Sequence, residues 1–97
     1  MAQLDLTLMG GKSMVVGELI RTTITKSFET KSKNLFSSQK MIVDLSQVKK
    51  VDTAGLAWLL YIVEQANLKS CSLTFIHVPQ ELLKLAALSG VDSFIPK

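Results

Sequence analysis

The sequence is poor in the residues that build disulfide frameworks and metal centres. It contains one cysteine, Cys71, and one histidine, His77, among 97 residues. A single thiol cannot close an internal disulfide, which is typical of proteins from a reducing compartment. His77 has no paired cysteine or second histidine, so we expect a surface or internally satisfied histidine instead of a metal ligand or catalytic base. We expect Cys71 to be a small buried apolar residue.

Long apolar runs and clusters of basic and aromatic residues are also missing. The longest apolar run, 54–63, is shorter than the roughly 20 residues that a membrane-spanning helix needs. The first residues lack the basic-then-apolar layout of a signal peptide. Lysine and arginine outnumber aspartate and glutamate by 11 to 8, but they are spread along the chain without interleaved aromatic residues. We therefore predict a cytoplasmic protein that binds no nucleic acid and does not insert into a membrane.

Motifs for catalysis are equally scarce. The fragment Gly10 to Ser13 resembles the end of a phosphate loop, but Leu6 stands where that motif requires a glycine. The carboxylates are scattered, and no nucleophile–histidine spacing or metal-ligand cluster is present. These observations favour a protein that is not an enzyme and uses no metal or cofactor.

The composition that remains is that of a globular protein. Apolar residues make up 47% of the chain and charged residues 20%, which argues against disorder. A chain of 97 residues is long enough for one modest core. We therefore predict a single domain that spans residues 1–97.

The pattern along the chain predicts alternating strands and helices. Alternation over 4–9 and a second apolar run over 14–17 surround Gly10-Gly11 and predict a β-hairpin. Helical spacing of apolar residues predicts an amphipathic helix from Glu18 to about Phe36. The run 41–45 predicts a buried strand, and the polar stretch 46–52 predicts a loop.

A second helix is predicted from Thr53 to about Leu68, with Asp52 or Thr53 as its cap. Residues 72–77 predict a strand, and Pro79 and Gly90 bracket a third helix. The apolar side of that helix consists of Leu82, Leu83, Leu85, Ala86 and Leu88. The tail, 91–96, could close the sheet as a further short strand. The order predicts an α/β fold in which helices pack against one mixed sheet.

The second helix carries the most informative surface. At 100° per residue, its predicted core face comprises Leu56, Leu59, Leu60, Val63 and Ala66. The opposite face comprises Ala54, Ala57, Trp58, Tyr61, Glu64 and Gln65. Either another helix of the domain covers Trp58 and Tyr61, or the two form an exposed apolar patch of the kind that marks protein contacts.

Thr53 also allows two interpretations. It is an ordinary helix cap, or it is a contact or phosphorylation site at the start of a helix, where a phosphate adds about −1.5 to −2 charges. The positive end of the helix dipole favours such a charge, whereas the neighbouring Asp52 opposes it. A phosphate there could therefore switch the binding of a partner.

Two segments of the chain together resemble the STAS domain family. That family pattern is a strand that ends in Asp-Leu/Phe-Ser, a short loop, and Asp-Ser/Thr-x-Gly-Leu at the start of the second helix. Here 44–46 match the first part, while Asp52, Thr53, Gly55 and Leu56 match the second. Residues 17–19 are similar to the family's Gly-Glu-Leu. The resemblance implies a STAS fold, with a mixed sheet of four to five strands and three to four helices.

Within the family, the run from Asp44 to Leu60 is most similar to the cytoplasmic STAS subunits of ABC-type phospholipid transporters. Those systems maintain the lipid asymmetry of the outer membrane. The threonine at position 53 replaces the serine that is common in sigma-factor regulators. The sequence departs from the pattern at Ala54, at Trp58 and in a lengthened region around residues 31–39.

The resemblance implies a regulatory or assembly subunit that binds the ABC-type ATPase and, through it, the membrane permease. The protein would then be peripheral to the inner membrane through its complex. Thr53 is carried over as the partner contact or possible phospho-acceptor, with Asp52, Ala54 and Gly55 around it. Trp58 and Tyr61 would extend the same surface.

Two further lysines, Lys49 and Lys50, precede the helix and could meet acidic residues of the ATPase. The alternative implied by the same family is an anti-sigma factor antagonist. In that case a kinase would phosphorylate Thr53 and so control the binding of the partner.

Overall fold

A computed structural model describes residues 3–36 and 39–97 and has the predicted α/β architecture. Its strands are β1 (Leu4–Met9), β2 (Lys12–Leu19), β3 (Lys40–Val51) and β4 (Ser72–Ile76). Its helices are α1 (Lys26–Ser32), α2 (Thr53–Leu68) and α3 (Gln80–Leu88), with short 3-10 helices at Lys33–Phe36 and Asp92–Phe94. The lengthened region predicted around 31–39 lies partly outside the described residues.

The strands form one mixed sheet in the order β1-β2-β3-β4. The hairpin prediction is confirmed, because β1 and β2 are antiparallel and Met9 pairs with Lys12 across Gly10-Gly11. Gly10 has a φ of 61°, a left-handed conformation that glycine adopts without steric cost. Strands β2, β3 and β4 run parallel, so α1 and α2 are crossover helices between neighbouring parallel strands.

The predicted loop at 46–52 is wrong over most of its length, because β3 continues to Val51. The second half of β3 pairs with β2, with Gln47 opposite Val16 and Val51 opposite Leu19. Two register shifts in β2 accommodate this pairing. The stretch is polar because much of it faces solvent, whereas Val51 is buried. Pairing with a distant strand, which local polarity does not reveal, decides its conformation.

The predicted first helix, Glu18 to Phe36, is also wrong at its start. Strand β2 extends to Leu19, and a turn follows in which the Thr23 hydroxyl lies 2.5 Å from the carbonyl oxygen of Glu18. Helix α1 begins only at Lys26, where the Thr25 hydroxyl accepts a hydrogen bond from the Phe28 N–H. An N-terminal threonine cap of this kind fixes the start of a helix.

Helix α2 has the predicted bounds, but its buried face is rotated and wider than expected. The buried residues are Gly55, Leu56, Trp58, Leu59, Ile62 and Ala66. Leu60 and Val63, which the helical spacing places in the core, are only half-buried, whereas Ile62 is buried although it lies outside the predicted core face. The difference arises because α2 packs on the sheet while α1 and the following 3-10 helix, which include Phe28, Leu35 and Phe36, contribute to the same core.

The C-terminal part differs from expectation in two places. In α3, Leu82 and Ala86 are buried as predicted, but Leu88 in the last turn is 86% exposed. The tail forms a 3-10 helix instead of a strand. It nevertheless contacts the sheet edge, because the carbonyl oxygen of Pro96 accepts a hydrogen bond from the Phe75 N–H of β4 at 2.8 Å.

Candidate partner-binding site at the start of helix α2

The start of α2 is held by Asp52, which caps the helix and also fixes a second segment. Its Oδ1 atom accepts hydrogen bonds from the N–H groups of Ala54, at 2.9 Å, and Gly55, at 3.1 Å. Its Oδ2 atom accepts one from the Arg21 N–H at 2.9 Å. Burial raises the pKa of Asp52, but the N–H groups of Arg21, Gly55 and Ala54 lower it, and the result lies below the ordinary value. Asp52 is therefore a charged anchor whose two oxygens are already engaged.

Gly55 brings the first turn of α2 against the end of β2. A Cβ atom at this position would lie 2.3 Å from the carbonyl oxygen of Leu19, closer than atoms can approach. Gly55 is one of the predicted contact residues, but it is buried. Its role is to permit the close approach of α2 to β2. Its position therefore does not expose it to a partner.

Thr53 is the first residue of α2 and is exposed to solvent. Because Asp52 provides the cap, the Thr53 hydroxyl is not needed for that role. Within residues 3–36 and 39–97, the Thr53 side chain makes no hydrogen bond. The structure therefore presents a hydroxyl group at the positive end of the helix dipole.

Trp58, expected on the outward face of α2, is instead 3% exposed. Its Nε1 atom donates a hydrogen bond to Ser32 Oγ at 2.9 Å, and Ser32 Oγ in turn donates to the Phe28 carbonyl oxygen at 2.8 Å. The rings of Trp58 and Phe28 lie 5.2 Å apart with a tilt of 46°. Of the two interpretations of Trp58, coverage by another helix is the one confirmed, because α1 packs over it.

Next to Trp58, a groove of about 400 Å³ runs between α1, its preceding turn and the first half of α2. We call it the α1–α2 groove, and its lining residues are Arg21, Ile24, Glu29, Ala54, Ala57, Trp58 and Tyr61. Tyr61 is half-buried in its wall, and Ala54 and Ala57 are small enough to leave it open. The sequence did not connect Arg21, Ile24 and Glu29 with this surface, because they lie far away in the chain.

One local signal could have indicated the groove. Ala54 and Ala57 stand three residues apart on α2, so they are neighbours on one face of the helix. Two small side chains in succession leave space beside a helix unless another element fills it. The sequence could not show which element lines the other side.

Lys49 and Lys50 lie on β3 instead of on the predicted loop. Lys50 pairs with Glu18 across the parallel strands, and both lysines are exposed. Lys49 lines a separate depression with residues of β1 and β2, including Asp5 and Val16. The structure therefore does not bring Lys49 into the α1–α2 groove.

A second polar cluster surrounds Asp44, which is 4% exposed on β3. Its Oδ1 atom accepts a hydrogen bond from the Ser46 N–H at 2.8 Å and lies 3.1 Å from Nδ1 of His77. Nζ of Lys12 lies 3.9 Å from its Oδ2 atom. The Ser46 N–H and the contact with His77 hold the pKa of Asp44 at about 2 against the effect of burial. His77 is exposed and its ring contacts Asp44, which agrees with the predicted surface or internally satisfied histidine.

Within the described ranges, no group of three or more histidine, cysteine, aspartate or glutamate residues is arranged to hold a metal ion. No helix in the same ranges has the length and apolar character needed to cross a bilayer.

Comparison with known proteins places this geometry in context. A family model described as "Mlab, STAS domain" matches residues 14–96. Among solved structures, the anti-sigma factor antagonist SpoIIAA in its unphosphorylated form is similar, with a TM-score of 0.70 and 12% sequence identity. The alignment covers 95% of this chain and 84% of that one. At this identity the likeness concerns the fold alone. No curated protein sequence matches the chain.

Proposed function

Because the chain belongs to the STAS domain family, in its MlaB-like group, we propose that it is a non-catalytic regulatory subunit of an ABC-type phospholipid transporter. In this role it binds the ATPase subunit and, through it, the permease. The system would maintain the lipid asymmetry of the outer membrane. The observation that carries the proposal is the exposed hydroxyl of Thr53 beside the open α1–α2 groove, in a chain that matches this family.

The arrangement around Thr53 supports a binding surface held ready for a partner. Asp52 ties α2 to the turn before α1 through three N–H groups, so Thr53 and the groove walls have fixed relative positions. A surface that is already ordered loses less conformational entropy when a partner binds. Asp52, the carboxylate at the start of α2, is engaged by three backbone N–H donors, which favours a role in ordering the surface over acid–base chemistry.

The cellular location follows from the same proposal. A subunit that docks on the ATPase of a membrane transporter would reside in the cytoplasm, peripheral to the inner membrane through its complex. The absence of a spanning helix among the described residues is compatible with this location. Lys49 and Lys50, exposed on β3, could contact acidic residues at the rim of such an interface.

A second candidate is an anti-sigma factor antagonist controlled by phosphorylation of Thr53. The fold likeness to SpoIIAA and the unengaged Thr53 hydroxyl favour it. A phosphate at this position would meet the helix N-terminus but also the charged Asp52. This candidate requires a soluble kinase-like partner instead of a transporter ATPase.

The test is a pull-down from cytoplasm and detergent-solubilised membranes with wild type, Thr53→Ala and the control Thr7→Ala, which changes an exposed threonine on β1. We expect wild type and Thr7→Ala to recover an ABC ATPase with its permease, and Thr53→Ala to recover less. Recovery of a soluble kinase-like protein instead would favour the second candidate. Equal recovery of the ATPase by all three proteins would leave Thr53 outside the interface.

A further inference from the structure

We propose that the α1–α2 groove receives a single large apolar side chain from a helix of the ATPase, with an acidic residue beside it opposite Arg21 and a basic residue opposite Glu29. The inference rests on the proposed function and adds to it the chemistry of the partner segment. It assigns roles to Arg21 and Glu29, which lie outside the sequence motif that carries the resemblance, and to Ala57 within it.

The size and lining of the groove fit a bulky apolar side chain. Its volume of about 400 Å³ exceeds the roughly 150 Å³ of an apolar cavity that holds benzene, so it has room for an aromatic or branched aliphatic group. Ala54, Ala57, Ile24 and the rings of Trp58 and Tyr61 provide apolar surface. Interface hot spots commonly consist of one such anchor in a pocket.

The groove stays open because Trp58, the largest of its lining residues, is held inward and does not fill it. The Trp58 indole is fixed by its hydrogen bond to Ser32 and by its packing on Phe28. It therefore forms a wall of the groove and cannot swing outward to fill it without breaking a buried hydrogen bond. At positions 54 and 57, helix α2 contributes only the small side chain of alanine to the groove. The partner must supply the missing volume.

The charges at the rim specify the residues beside the anchor. Arg21 and Glu29 are both exposed and line the groove. Neither side chain belongs to an ion pair within the described part of the chain, although the charge of Arg21 also acts on Asp52 and lowers its pKa. A partner helix with an acidic residue, an apolar anchor and a basic residue at three- or four-residue spacing would match this pattern of apolar surface and charge.

The position of the groove links it to the proposed interface. It includes Ala54, which follows Thr53 directly, so one helix lying in the groove would reach the Thr53 hydroxyl as well. This continuity favours the ATPase as the occupant over a second copy of the chain. A second copy remains a distinguishable outcome, because it would change the mass of the isolated protein in solution.

The test measures binding of the purified ATPase of the same transport system by titration calorimetry. Ala57→Trp fills the groove, and Ala87→Trp places the same ring on an exposed position of α3 as a matched control. We expect Ala57→Trp to weaken binding roughly tenfold or more and Ala87→Trp to bind like wild type. Equal affinity of Ala57→Trp and wild type would overturn the groove proposal while the proposed function stands.

Charge reversal provides a second variant that does not depend on space in the groove. Glu29→Lys is compared with Glu81→Lys, because both residues are exposed in the first turn of a helix. We expect only Glu29→Lys to lower the rate constant for association with the ATPase, roughly threefold or more at low salt. The difference from wild type should shrink as salt is added. Unchanged association would overturn the assignment of a basic partner residue.

Two further outcomes distinguish the proposed function from the assignment of the occupant of the groove. If wild type does not bind the ATPase at all, both the proposed function and the groove assignment fail. If analytical ultracentrifugation shows a wild-type dimer that Ala57→Trp dissociates, the occupant is a second copy and the ATPase assignment is overturned. Thermal unfolding of each variant confirms that the folded proteins are being compared.

Discussion

The indole Nε1 of Trp58 donates a hydrogen bond across 2.9 Å to Ser32 Oγ, which joins helix α2 to the last turn of α1. Both partners are buried, so this single bond satisfies a polar group of each helix inside the core. It also determines the surface, because it holds Trp58 inward and leaves the α1–α2 groove open beside it. The internal packing and the candidate binding site therefore depend on the same contact.

We expect Ser32→Ala to lower the free energy of unfolding by about 1–3 kcal/mol, because it leaves the buried indole N–H without an acceptor. Urea denaturation monitored by far-UV circular dichroism measures the change. Thr30→Ala is the control, because the Thr30 hydroxyl donates to the Lys26 carbonyl oxygen on an exposed part of the same helix.

A double-mutant cycle tests whether the loss comes from this hydrogen bond. In a Trp58→Phe background, Ser32→Ala should be much less costly, since no indole N–H remains to be satisfied. An equal cost in both backgrounds would assign the effect to the bond from Ser32 to the Phe28 carbonyl oxygen instead.

The close approach of α2 to β2 predicts that alanine substitutions at two glycines have very different effects on stability. We expect Gly55→Ala to destabilise the protein by about 1–3 kcal/mol, because its Cβ would overlap the Leu19 carbonyl oxygen. Gly11→Ala should be tolerated, since its nearest neighbour, the Lys40 carbonyl oxygen, would lie 3.4 Å from the added carbon. Thermal unfolding of both variants compares them, and similar melting temperatures would contradict the predicted overlap.

The parts of the fold that local patterns determine were predicted correctly. The hairpin at Gly10-Gly11 and the bounds of α2 follow from turn chemistry, apolar periodicity and a capping aspartate, which act within a few residues. The order of strands and helices, which comes from the same local patterns, then predicted one mixed sheet with helices packed against it.

The errors occur where distant segments decide the structure. Residues 18–24 fit a helical pattern, but Leu19 pairs with Val51, and this pairing extends both strands. Trp58 fits an outward position on an isolated helix, but α1 covers it through Phe28 and Ser32. For the same reason, the sequence located only a part of the candidate site. Thr53 and Asp52 were found from the cap, whereas Arg21 and Glu29 join the site only through the placement of α1.

The buried carboxylate of Asp44 predicts a pH dependence of stability. The pKa of Asp44 is about 2 in the folded protein and would be about 3.9 in an unfolded chain. A lowered pKa stabilises the folded state above the unfolded value, and this contribution is lost as the pH falls from about 4 to about 2. The loss from this group is of order 2 kcal/mol.

Urea denaturation between pH 5 and pH 2 measures this effect in wild type and Asp44→Asn. We expect the variant to be less stable at neutral pH and to show a shallower decline as the pH falls. Asp92→Asn, which changes an exposed aspartate in the C-terminal 3-10 helix, serves as the control. Parallel pH curves for wild type and Asp44→Asn would show that another group accounts for the decline.

The two oxygens of Asp52 predict separable roles in capping α2 and in placing Arg21. In Asp52→Asn, the side-chain oxygen can still accept from Ala54 and Gly55, but the amide nitrogen cannot accept from the Arg21 N–H. We therefore expect hydrogen exchange to accelerate at the Arg21 amide while the first turn of α2 stays protected. Asp52→Ala should expose both segments to exchange.

Because Arg21 lines the α1–α2 groove, Asp52→Asn should also weaken binding of the ATPase while the melting temperature falls less than in Asp52→Ala. Faster exchange at Ala54 and Gly55 in Asp52→Asn would show instead that the amide oxygen turns towards Arg21 and that the cap is the weaker of the two contacts.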